Sequence, residues 1–150
     1  ESDITSYFTI IYGVIDPESG RGVLCQAGHP TPVIVNADSA VTSVGNGGPP
    51  VGLMPDLSWE DVAFTLNPGD RLCLFSDGIT ECENVSGEQF GPQRLERWLH
   101  DHARLPVDQL LARFGDHLTG WRNANRDEPT ALTDDVSLLV IERQGEQNDY

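Results

Sequence analysis

Asn67-Pro68-Gly69-Asp70-Arg71-Leu72-Cys73-Leu74-Phe75-Ser76-Asp77-Gly78 joins a turn, a strand and a candidate functional carboxylate in one unbroken run. Pro68 and Gly69 occupy the central positions of a type II turn, where proline presets the first φ and glycine accepts the positive second one. Arg71 to Phe75 then reads as a short apolar strand. It stops at Ser76-Asp77-Gly78. A carboxylate at the end of a buried strand, followed by a glycine that lets the backbone turn sharply, is held rigidly and opens to a cleft.

Toward the N-terminus the chain reads as strands and turns. Tyr7 to Ile15 alternates Phe8, Ile10, Tyr12 and Val14 with Thr9, Ile11, Gly13 and Ile15. Both faces are largely apolar, which predicts a central strand. Asp16-Pro17-Glu18-Ser19-Gly20 is a turn by composition, and Gly22 to Ala27 returns from it to make a hairpin. Further strands are predicted at Pro32 to Val35 and at Trp59 to Leu66, where Val62, Phe64 and Leu66 share one face. Gly45-Asn46-Gly47-Gly48-Pro49-Pro50-Val51-Gly52 is glycine-rich, but its two prolines sit where a dinucleotide loop would have to open a helix, so it reads as an ordered loop.

Toward the C-terminus two helices are predicted. One runs from Pro92 to His102 with Leu95, Trp98, Leu99 and His102 at helical spacing; the other runs from Pro106 to Ala124. Leu110, Leu111, Phe114, Leu118 and Trp121 make an apolar stripe that suits core packing. Val136 to Ile141 is a last short strand, reached through Asp134-Asp135. Antiparallel strands, a helix pair and a closing strand together predict an α+β layered fold with helices on one sheet face.

The chain has 150 residues, enough for one core, and 38% of them are hydrophobic. Its 24 acidic residues against 9 basic ones give a formal charge of -15, which disfavours nucleic acid and anionic lipid as partners. Cys25, Cys73 and Cys82 show neither a disulfide framework nor zinc-ligand spacing. No apolar run approaches the roughly 20 residues of a membrane span. These features predict a cytoplasmic protein, with residues 1–143 as its domain and residues 144–150 as a flexible tail.

Two segments place an aspartate where a hydrophobic strand meets a loop: Phe75-Ser76-Asp77-Gly78-Ile79-Thr80-Glu81 and Thr133-Asp134-Asp135-Val136-Ser137-Leu138-Leu139-Val140. If the two strands are neighbours, both carboxylates can converge on one hard cation. Mg²⁺ and Mn²⁺ prefer such oxygens, and a metal pair can activate water while screening a phosphoryl group. Asp-Gly is also a common turn and Asp-Asp a common solvated edge, so spacing leaves both readings open.

Taken in order, Phe8 to Gly13 with Asp16 to Gly20, Ala27-Gly28-His29-Pro30, Gly48-Pro49-Pro50-Val51-Gly52-Leu53, Leu66 to Asp70 and the two aspartate segments extend over nearly the whole chain. This ordered set resembles the PPM-type metal-dependent protein serine/threonine phosphatases, in the bacterial SpoIIE-like branch that regulates sigma-factor partner switching. The resemblance implies a layered antiparallel β-sandwich flanked by helices, with Asp77 and Asp134 ligating one metal of a binuclear Mn²⁺ or Mg²⁺ centre. Asp135 and Gly78 would lie behind these ligands. It also implies hydrolysis of phosphoserine or phosphothreonine on a small regulatory protein, an anti-sigma-factor antagonist. An upstream sensor or receiver domain, of response-regulator type, would control activity.

The chain departs from the family in one respect. Family domains carry an upstream Gly-Asp element and an Asp-x-x-Gly-x-Gly element that supply a bridging carboxylate and a carbonyl, and the sequence contains neither; Asp3 and Asp16 are no substitutes. The expectation is therefore the C-terminal portion of the domain, its N-terminal part missing, and a fragment inactive by itself. A sheet without its first strands has an open edge suited to self-association with a second copy. The competing reading is a non-catalytic phosphatase-like module that binds a regulatory protein.

His29 is expected to fix its loop by hydrogen bonds, with a position near substrate as the alternative. His100, His102 and His117 read as surface or packing residues. Ser76 lacks the G-x-S-x-G elbow of a nucleophile and is expected to cap or bond the turn that aims Asp77.

Overall fold

A computed structural model describes residues 6–132 and 135–145. Among them the chain forms strands β1 (Ile10–Ile15), β2 (Arg21–Ala27), β3 (Val33–Val35), β4 (Val41–Ser43), β5 (Asp61–Thr65) and β6 (Arg71–Phe75). Helices α1 (Asp77–Thr80), α2 (Gly91–Asp101) and α3 (Val107–Asn123) follow, and β7 (Leu138–Glu142) closes the chain. One sheet has the order β1-β2-β5 and the other β4-β3-β6-β7, with every pairing antiparallel.

The sheets stack because β3 and β6 are apolar on both faces. Ile34 and Leu72 pack with Leu24, Val44 and Leu66 between the sheets. Val33, Val35, Cys73 and Phe75 point the other way, onto Leu95, Trp98 and Leu99 of α2 and Leu110, Phe114 and Leu118 of α3. Burial is so complete at Cys73 that its thiol is pushed up to about 12, leaving it an inert packing group.

The turns follow their residues. Asp70 N donates to Asn67 O at 2.9 Å with Gly69 at φ 89°, closing the predicted type II turn. The buried Asp70 carboxylate accepts from Ala37 N at 3.0 Å and Asn67 N at 2.8 Å. Next to it the buried Arg71 donates to Glu142 of β7 at 2.5 Å and to the carbonyls of Ala103 and Leu105 between α2 and α3. In the first hairpin Asp16 accepts from Ser19 Oγ at 2.7 Å and from Glu18 N at 3.0 Å, which together hold its carboxyl below the usual range. Gly20 closes that hairpin at φ 73°, where an added Cβ would fall 2.1 Å from Leu66 O.

Four sequence expectations are corrected. Tyr7 to Ile15 is not a central strand: β1 is the edge of its sheet, and its outward Tyr12 and Val14 are 69% and 64% exposed. Apolar residues on both faces predict cover on both, but among the described residues only the face carrying Ile11 and Ile15 is packed. The short strand β4 was not expected, because three residues carry too little periodicity. Residues 77–80 form a helical turn where only a chain reversal was read. Leu111 leaves the α3 stripe and is 37% exposed, since the helix buries the row Leu110, Phe114, Leu118.

Asp70→Ala leaves two backbone donors without their partner and should cost about 3 kcal/mol in urea unfolding. Asp70→Asn, which keeps one acceptor oxygen, should cost less. A second expectation concerns His117, whose ring stands 5.7 Å from Phe90 and 5.9 Å from Trp98. Burial first, and then the neighbouring His102, lower its pKa. Its contribution to stability is therefore present above the ordinary imidazole value of about 6.5 and lost as pH falls through the lower folded value. Thermal unfolding scans of His117→Gln should show a smaller loss of stability between neutral and mildly acidic pH than the parent chain.

Candidate metal centre and cleft

The end of β6 and the start of β7 are neighbours, with Phe75 opposite Leu138. Past that pair, Ser76 continues the connection. Its N–H donates to Ser137 O at 3.0 Å, its Oγ donates to Asp135 O at 3.0 Å, and its Oγ accepts from Ser137 N at 2.9 Å. Ser76 is the N-cap of α1 by position, yet its hydroxyl makes no cap bond. It bonds the turn, as expected, but across the strands.

Asp77 opens α1 and is exposed, while Gly78 and Ile79 behind it are buried, Ile79 completely. The buried isoleucine anchors the turn and leaves the carboxylate facing outward. Glu81 N at 2.8 Å and Thr80 Oγ1 at 3.3 Å donate to the Asp77 main-chain carbonyl, so the backbone there is fixed. No donor among the described residues reaches the Asp77 carboxylate oxygens, which are thus available to a ligand.

That carboxylate lies in a cleft of about 510 Å³ whose walls come from both sheets. Ser76, Asp77, Thr80 and Glu81 form one wall; Gly28, His29, Pro30, Thr31, Gly47 and Gly48 form the other, with Thr9 and Gln26. Gln26 is 2% exposed. Its amide donates to His29 O at 2.6 Å and Thr31 Oγ1 at 3.0 Å, and its Oε1 accepts from Gly47 N at 2.9 Å. One side chain thus pins both loops of that wall. Gly28 sits at φ 67°, and a Cβ there would meet Pro50 Cγ at 2.6 Å, so the close approach of the loops requires glycine. The glycine-rich segment is an ordered loop, tied by Gly28 N to Gly48 O at 2.8 Å and by Trp59 Nε1 to Pro49 O at 2.8 Å.

Of the expected site residues, Asp77 is in the cleft, Gly78 is buried under it, and Asp135 is exposed with its carbonyl bonded to Ser76. Asp134 lies outside the described residues. His29 bonds Pro30 O through Nδ1 at 3.1 Å and also lines the cleft, so its loop-fixing bond and its place on the wall coexist. His100 bonds Ser39 O at 2.8 Å and His102 stacks on Trp98 with centroids 4.1 Å apart, both apart from the cleft. Gln26 was missed, because a polar residue in an alternating strand reads as part of a solvated face. Among the described residues no three His, Cys, Asp or Glu side chains converge. Exposed carboxylate oxygens without donors are nevertheless the right chemistry for a hard divalent cation.

Comparison with known proteins adds to this geometry. A family model described as Stage II sporulation protein E (SpoIIE) matches residues 1–144. Phosphoserine phosphatase RsbU of Bacillus subtilis is 24% identical over 143 residues, 95% of this chain and 41% of RsbU. Protein IcfG of Synechocystis sp. is 32% identical over 93 residues, 62% of this chain and 15% of IcfG. The chain therefore spans less than half the length of either relative. The SiaA-PP2C domain of Pseudomonas aeruginosa superimposes with a TM-score of 0.78 at 20% identity, covering 95% of this chain and 54% of that one. The phosphatase domain of SpoIIE from Bacillus subtilis, presoaked with Mn, gives 0.71 at 17% identity, covering 95% and 59%. The fold is that of PP2C-type phosphatase domains.

Ser76→Ala removes both side-chain bonds to the 135–137 segment and should cost about 1 kcal/mol. Amide hydrogen exchange at Ser137, whose N–H loses its partner, should accelerate while exchange in β2 stays unchanged.

Proposed function

Because the chain belongs to the SpoIIE family of PPM-type phosphatase domains, we propose that it is part of a metal-dependent phosphoprotein phosphatase of bacterial signalling. Its substrate is a phosphoserine or phosphothreonine on a small regulatory protein of the anti-sigma-factor antagonist type. The observation that carries this reading is Asp77, an exposed carboxylate on a rigid turn in a cleft, with no donor spent on its oxygens. The bonds from Ser76 to Asp135 and Ser137 support it, since they join the Asp77 turn to the segment that follows Asp134.

In this reading Asp77 and Asp134 hold one Mn²⁺ or Mg²⁺, and Asp135 and Gly78 support the turns that carry them. The cation's part, when bound, is to screen phosphoryl oxygens and to lower the pKa of a water. The chain's own residues orient and exclude. The wall pinned by Gln26 confines a phosphopeptide from the far side, and Thr80 and His29 offer it polar groups. The domain occupies residues 1–143; of the tail expected at 144–150, residues 146–150 lie outside the described residues. A longer natural protein carries a sensor or receiver domain, works in the cytoplasm and supplies the remaining metal ligands, so the 150-residue chain by itself hydrolyses nothing.

The test uses phosphopeptide hydrolysis with Mn²⁺. The longer natural protein should be active, and its Asp77→Asn variant should lose on the order of 100-fold or more. The 150-residue chain should give no rate above the blank. Equal rates for the longer protein and its Asp77→Asn variant would remove Asp77 from the centre. A longer protein with no Mn²⁺-dependent rate, yet able to bind an antagonist protein, would favour the non-catalytic binding module.

A further inference from the structure

The last turn of α3 reaches both segments that carry the proposed metal ligands. Trp121 Nε1 donates to Cys82 O at 3.1 Å, just beyond α1. Arg122 Nε donates to Ala131 O at 2.8 Å, three residues before Asp134. Arg122 and Cys82 also line one cavity, and the Arg122 charge opposes the rise in thiol pKa that burial causes at Cys82. A small cavity of about 150 Å³ separates the two segments, lined by Gly78, Glu81 and Cys82 on one side and Leu132 and Val136 on the other, with Arg122 between them.

This end of α3 is itself held firmly. Trp121 packs edge-on to Phe90 at 5.8 Å, and Arg94 lies over its other contact surface at 4.4 Å from the ring centroid. Cys82 O accepts from Phe90 N at 2.8 Å as well as from Trp121, so its position is fixed twice. Beyond the helix, Arg126 Nε donates to Arg122 O at 2.8 Å and Thr130 N donates to Asn123 Oδ1 at 2.8 Å, which folds residues 123–131 back onto α3. The helix end is therefore a rigid post with a segment fastened on each side.

We propose that Arg122 is a positioning residue for the metal centre, holding the segment that leads to Asp134 against the cavity it shares with the end of the Asp77 turn and so fixing how the two segments stand to each other. This rests on the proposed function, in which those two residues share a cation. A planar guanidinium suits the task, because its donors point along fixed, divergent directions, so that bonding the Ala131 carbonyl leaves others for the cavity it lines. Among the described residues Arg122 is also the one cationic residue lining this cavity, against the acidic Glu81 and Glu83. Loss of such outer support commonly costs 10- to 100-fold in metal affinity without touching a ligand.

The experiment measures Mn²⁺ dissociation constants by electron paramagnetic resonance in the longest natural form of the protein, alongside melting temperatures. Arg122→Ala should weaken Mn²⁺ binding by about tenfold. Arg122→Gln, which retains one donor and loses the charge, should fall between it and the wild type. Arg113→Ala, on the exposed face of α3, should leave the constant unchanged. Binding within twofold of wild type in whichever Arg122 variant folds would overturn the proposal, provided that Asp77→Asn abolishes binding. If Asp77→Asn binds as the wild type does, the proposed centre itself is wrong, and the role of Arg122 is overturned with it.

Discussion

Burial of β6 on both faces is the constraint from which the site follows. Cys73 and Phe75 belong to the core under the helices, and Leu72 belongs to the core between the sheets. A one-residue slip would exchange these faces and expose both sets, so the register is strongly determined. The strand is also fixed at its start, where Asp70 and Arg71 bond into four other segments, including β7 and the turn between α2 and α3. A strand that can neither slide nor tilt delivers Asp77 to one place. The site is rigid because the layers beneath it are.

The opposite wall is built by different means. It consists of loops, which would ordinarily be the mobile part of such a fold. Here Gln26 satisfies three polar groups from inside the wall, and the glycines at 28 and 48 let the loops approach more closely than a Cβ allows. Arg143 then ties the two sheets together at the far end, donating to Leu66 O at 2.8 Å and to Ser19 O at 3.0 Å. The cleft is thus held between two layers whose separation is fixed by hydrogen bonds at one end and by side-chain packing through the middle.

Much of this was legible in the sequence, and what was not has identifiable causes. The turn at 67–70, the β6 run and a strand within residues 136–141 are read directly, because each rests on local chemistry: proline and glycine at fixed turn positions, or unbroken apolarity. The neighbouring of β6 and β7 was a condition of the metal reading, and the register of Phe75 with Leu138 meets it. By contrast, β1 was misplaced because periodicity reports that a face is apolar, not what covers it. Gln26 and Arg122 could not be found in advance. Most of their partners are main-chain carbonyls and amides, which have no sequence signature, and only the three-dimensional meeting of loops brings them together.

The charge around the cleft sharpens the functional reading. A phosphoryl group is an anion, and the whole chain carries a formal charge of -15. The acidic side chains lining the cleft among the described residues are Asp77 and Glu81, and no lysine or arginine lines it with them. Helix α1 is too short at four residues to offer a useful macrodipole. A phosphoester entering this cleft therefore meets repulsion from the very residues that line it, unless positive charge is brought in from elsewhere. A carboxylate such as that of Asp77, held on a fixed turn without donors, would attract such charge in the form of a divalent cation, which would supply the positive charge an anion needs there. On this argument the acidity of the site is an integral part of its proposed chemistry, and the burden of phosphate recognition falls on how accurately the two aspartate segments are held.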